Sequence, residues 1–167
     1  MNLWILAGEA LHRTFLANWY QLPGWLAFLA ALAAALRWGG WAERWIGGWL
    51  LADYVVHSLV GAVGRAVLDG EAPPVWWALA ADLVFAPAYL WPVVRSTKVW
   101  PLFFLAFYTL MAASRAVRLA VPEVGAWAGV TAVVIWTVLA QLAFTVGVVG
   151  CVLARRRAGA AASSSDA

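Results

Sequence analysis

Reactive and charged side chains are scarce in this chain of 167 residues. It holds one cysteine, two histidines and one lysine, and only 11% of its residues carry a charge. A single cysteine, Cys151, excludes an internal disulfide and any multi-cysteine metal site; lying in an apolar run, it is expected to serve packing. No HExxH, phosphate-cradling glycine loop or GxSxG elbow occurs, so zinc-enzyme, nucleotide-binding and hydrolase readings have no anchor. A bis-histidine haem needs two imidazoles at one depth on facing helices, whereas His12 and His57 fall at different depths. The sequence therefore implies no cofactor and no metal. The net charge of +3 is spread over helix ends and the run Arg155 to Arg157, leaving no basic face for nucleic acid.

What is abundant is apolar. The chain is 65% hydrophobic, with thirteen tryptophans and a mean hydropathy of +0.83, whereas a soluble domain is about half apolar and a quarter charged. The expected fold is all-α: a polytopic transmembrane helical bundle of about five spans, preceded by an N-terminal interfacial amphipathic helix. Five charge-poor windows are long enough to consider as spans, at about 22–38, 45–66, 75–94, 99–119 and 126–153. Pro23, Pro73-Pro74 and Pro101 sit where helices start. Residues 1–20 place Trp4, Leu11, Phe15 and Trp19 on one stripe, with Glu9, His12 and Arg13 off it, as an interfacial helix does. They lack a basic start and an unbroken apolar core, so no cleavable signal peptide is expected. Residues 21–154 form the bundle, and 155–167 read as a basic, then disordered, cytoplasmic tail.

Orientation follows from basic residues, which stay on the cytoplasmic side in short loops. Placing the C-terminus inside puts Arg37, Arg44, Arg95, Lys98 and Arg155 to Arg157 there, against Arg13, Arg65, Arg115 and Arg118 outside. Tryptophan clusters near both ends of the windows, as indole rings at a membrane interface do. Arginine far outnumbers lysine and alanine is common, a usage of GC-rich bacterial genomes. The expected location is a bacterial plasma (inner) membrane, N-terminus out and C-terminus in.

Within the second window, Asp53 and His57 stand one helical turn apart, and Gly61 and Gly64 continue the same face. An ionisable group at the centre of a span costs roughly 2.5–3.5 kcal/mol on insertion scales, so this face should turn into the bundle. Ser58 and Ala62 would widen that packing surface. Counting along the helices brings Asp82 to the depth of His57, and Arg115, deeper than Arg118, is the better partner for Asp82. Pro87 should kink the third helix beside Asp82. Thr137, Gln141 and Thr145 form a polar stripe that should line the same interior. The candidate intramembrane cluster is thus Asp53, His57, Asp82, Arg115 and Gln141.

The segment Trp41-Ala-Glu-Arg44, between the first two helices, resembles the acidic, tryptophan-containing segment of the small membrane subunit of tripartite periplasmic transporters. The likeness covers a few residues. A second adjacent glutamate and the basic-histidine ending are absent, and five spans exceed that family's four, so its function is not carried over.

Three readings follow. The first is a non-enzymatic accessory or structural subunit, embedded in the lipid bilayer and packing against a membrane-protein partner or its own copy. The second is a proton- or cation-coupled transporter or channel using the Asp/His cluster, and the third a lipid-active membrane enzyme. Mutual contact of the cluster without a cavity favours packing, whereas a pocket reaching it favours transport.

Overall fold

The computed structural model describes residues 22–68, 74–121, 123 and 126–165, and among them every regular element is helical. The helices are α1 (Leu22–Trp38), α2 (Trp41–Val67), α3 (Val75–Arg95), α4 (Trp100–Ala120) and α5 (Ala126–Ser165). Residues 1–20, where the amphipathic helix is expected, lie outside the described part.

Four helices are long and apolar enough to cross a membrane, over Trp41–Arg65, Val75–Arg95, Trp100–Ala120 and Trp127–Ala158. The described part of α1 has 17 residues, about 25 Å at 1.5 Å per residue, against a hydrocarbon core of about 30 Å. Among the described residues, the five expected spans correspond to four helices of spanning length and a shorter one. At the other end, α5 runs on as helix to Ser165, where the sequence reading places a disordered tail. Alanine and arginine are strong helix formers, and a helix already nucleated upstream extends at little cost.

Local chemistry sets the boundaries. Between α1 and α2 the chain turns at Gly39-Gly40: the Gly39 N–H bonds the Ala35 carbonyl at 2.8 Å, and a β-carbon at Gly39 would collide with that oxygen. Helix α3 starts directly after Pro74, and Pro101 sits in the first turn of α4, where its missing N–H is not needed. Helix α3 continues through both Pro87 and Pro92. Pro92 cannot donate to the carbonyl of Ala88, and the indole Nε1 of Trp45 donates to it instead, at 2.9 Å.

The five helices pack as a ring, each against the next in sequence, with α5 closing onto α1 and also touching α2. Phe28, Ile46, Tyr89, Phe104, Phe144 and Val148 fill the centre. The exterior is apolar too: Leu83, Val84, Val94, Phe103 and Val146 all point outward. Gly147 lets α5 approach the start of α4, because a β-carbon there would enter the Trp100 ring. Gly147→Ala is expected to destabilise the bundle by about 1–3 kcal/mol through overpacking. Unfolding in mixed micelles checks this; an unchanged midpoint would show that Trp100 has somewhere else to go.

Candidate functional site

The face of α2 that carries Asp53 turns inward. Asp53 and Gly64 are buried, while His57 and Gly61 are partly so. Ser58 and Ala62, expected on the same packing surface, are exposed instead: one residue beyond a four-residue repeat is rotated about 100° away from it. Asp82 reaches the site from α3 with no exposed surface, and Arg115 arrives from α4 with its side chain 15% exposed.

His57 is the centre of this group. Its Nδ1 lies 2.9 Å from Oδ1 of Asp53 and 3.0 Å from the Asp53 carbonyl. Two acceptors face this nitrogen and no donor does, so Nδ1 carries a hydrogen whatever the charge of the ring. The other nitrogen is placed differently. Nε2 lies 3.2 Å from Asp82 Oδ1 and also 3.2 Å from Arg115 Nη1. A protonated Nε2 donates to the carboxylate, and a bare Nε2 accepts from the guanidinium. Arg115 also ion-pairs with Oδ2 of Asp82, while Tyr89 donates to Oδ2 of Asp53 at 3.3 Å. Tyr108 donates to the main-chain carbonyl of Asp82, also at 3.3 Å.

Charge balance follows from this list. With His57 as imidazolium, two cations face two carboxylates. Loss of the Nε2 proton leaves one net negative charge and leaves Oδ1 of Asp82 without any donor. The group therefore holds one exchangeable positive charge, and that charge has a defined seat.

Ligand atoms of Asp53, His57 and Asp82 fall within 4.8 Å of one another, close enough for a metal ion. The guanidinium already bound to Asp82 places a fixed positive charge there. Moreover, the two carboxylates face opposite nitrogens of one ring, an arrangement of ion pairs.

A cavity of about 260 Å³ reaches down to this group from the end of the bundle where α2 finishes and α3 begins. His57 and Arg115 form its floor, and Ser114 and Arg118 stand on its wall. Below the group the bundle is filled: Tyr89 packs edge-on against Phe104 at 5.0 Å and against Tyr108 at 4.6 Å. Ile46, Phe85 and Phe144 complete this apolar layer.

Gln141, included in the expected cluster, donates to the hydroxyl of Tyr54, the chain neighbour of Asp53 on α2. Thr137 and Thr145 turn back to carbonyls of their own helix, at 2.8 Å each. Both threonines thus satisfy themselves locally.

A second polar group lies at the opposite end. Glu43, with no exposed surface, accepts from Lys98 Nζ at 2.6 Å and from Trp100 Nε1 at 3.2 Å, all on Oε1. The sequence reading places Glu43 in the segment Trp41-Ala-Glu-Arg44 between the first two helices and assigns it no partner. The available signal is a first-turn acid on α2 together with the chain's only lysine at the same end of the bundle. About 15 Å of α2 separates Glu43 from Asp53, and apolar side chains occupy the space between.

No family model, curated protein or solved structure matches this chain. Functional inference therefore rests on the geometry.

Proposed function

We propose that the chain is an integral membrane protein whose Asp53–His57–Asp82–Arg115 group exchanges one proton, reached from one side in this conformation, in the service of proton- or cation-coupled transfer across the membrane. Membrane residence draws support from the helices of spanning length and from an exterior that no soluble protein would present to water. The orientation favoured by the basic residues, with Arg155 to Arg157 inside, puts the cavity on the outer side.

One observation carries the functional reading: His57 Nε2 stands at equal distance from a carboxylate and from a guanidinium, at the floor of a cavity. Either protonation state keeps a partner, so proton exchange requires no large rearrangement. A site meant solely to fasten helices gains nothing from such an opening. The apolar layer beneath argues against a continuous pore and for one-sided access.

Proteoliposomes with an internal pH dye test this. Wild-type protein is expected to support proton movement, with the rate reduced by about an order of magnitude or more in His57→Gln and in the Asp53→Asn, Asp82→Asn double variant. Equal rates in all three would sink the assignment.

A second reading, an accessory subunit packing against another membrane protein, is favoured by Gly48, Ser58 and Ala62 facing outward along α2. Purification in mild detergent as a monomer alone would count against it.

A further inference from the structure

The cavity above His57 has a chemistry of its own. Its floor and wall carry three basic groups, Arg115, Arg118 and His57, together with the Ser114 hydroxyl. Arg115 and His57 are engaged with carboxylates, whereas Arg118 forms no ion pair among the described residues. Its stem lies across Gly129, where a β-carbon would come within 3.0 Å of the Arg118 Cδ. That close approach holds the guanidinium beside the cavity. The first turn of α3, which has no side-chain cap, forms another part of the wall, adding the positive end of a helix. The rest of the wall is mostly valine, from Val60, Val130, Val133 and Val134, with Gly61 and Gly129 between.

A cationic end and an aliphatic wall define an amphiphilic anion. We infer that this cavity binds a small carboxylate with a short apolar tail, its carboxylate on Arg118 and Arg115, and that it binds together with the proton on His57. The planar guanidinium fork matches a carboxylate bidentately, and about 260 Å³ has room for a carboxylate with a tail of several carbon atoms. The inference rests on the proton reading given above and names what the proton accompanies.

The linkage follows from charge. Groups facing His57 are Asp53 from its own helix, Asp82 from α3 and Arg115 from α4, with Tyr89 behind the Asp53 carboxylate and Tyr108 on the Asp82 main-chain carbonyl. Helices α1 and α5 bring no charged side chain to this level among the described residues. Adding Arg118, the set is neutral when His57 is neutral and carries one net positive charge when His57 is protonated. An anion is therefore held by the protonated form, and each carboxylate bound draws in one proton.

Butyrate is the probe, with butylammonium and butanol as controls of equal tail length. Calorimetry on the full chain in detergent, at a pH high enough that His57 is neutral before ligand is added and repeated in buffers of different ionisation enthalpy, should give about one proton taken up per butyrate. Affinity should then fall by about tenfold per pH unit once His57 is neutral. Arg118→Gln should weaken butyrate by about tenfold or more; it leaves no acid stranded, so folding is preserved. His57→Gln should still bind butyrate but without proton uptake. Absence of butyrate binding, full affinity in Arg118→Gln, or equal binding of butylammonium would overturn the site.

Infrared difference spectra of His57 and the carboxylates, taken without butyrate, separate the two failures. If the group titrates while butyrate does not bind, this inference falls and the proton reading stands. If butyrate binds with no proton uptake at a pH where His57 is neutral in the free protein, the proton reading falls and takes the linkage with it.

Discussion

An Arg115→Met variant is expected to lose about 3–5 kcal/mol of stability, the range for breaking a buried ion pair from one side. The reason lies on α3: Asp82 has no exposed surface and depends on Arg115 and His57 for its charge partners. Methionine fills a similar volume but leaves the carboxylate beside an imidazole alone. A companion variant separates pairing from packing. Arg115→Met combined with Asp82→Leu removes both charges and should recover most of the loss, since well-packed apolar replacements for buried pairs are often neutral. Unfolding titrations in mixed micelles provide the measurement. A single variant within about 0.5 kcal/mol of wild type would mean that Asp82 is satisfied by something other than the guanidinium.

The second large effect is expected at the other end of the bundle. Lys98→Met should cost about 3 kcal/mol, because Glu43 is fully buried and keeps only the indole of Trp100 as a donor. The asymmetry of the pair sharpens the test. Lys98 is 42% exposed on its side chain, so Glu43→Gln returns a lysine to water and should cost far less than Lys98→Met. Equal losses from the two substitutions would contradict the assignment of the burden to the carboxylate.

Much of the upper site is legible in the sequence because helical spacing is local arithmetic. Asp53 and His57 are four residues apart, and any helix through them places both on one side. Asp82 and Arg115 required only a count of depth along neighbouring spans. Their tyrosine partners were not legible, since Tyr89 and Tyr108 look like ordinary core aromatics until a carboxylate or a carbonyl stands opposite. Gln141 shows the limit of spacing: its partner, Tyr54, is set by packing between α5 and α2 that the sequence pattern does not encode. Glu43 escaped for a related reason. An acid in the first turn of a helix is usually solvated, and its partner Lys98 lies 55 residues away in sequence. The helix count was legible in composition, whereas the start of α2 at Trp41 hinges on the Gly39-Gly40 turn and on Glu43 being inside.

The indole of Trp45 on the Ala88 carbonyl has a mechanical consequence. Helices α2 and α3 are pinned at two levels, by this bond toward one end and by His57 on Asp82 toward the other. A slip of one turn, about 5.4 Å, would break both fastenings together and leave the carbonyl freed by Pro92 bare. Shear between these two helices is thereby disfavoured, and they move as a single rigid block. Any motion that exposes His57 to the opposite side must therefore displace the other helices, α4 above all, whose Phe104 and Tyr108 close the layer beneath the site.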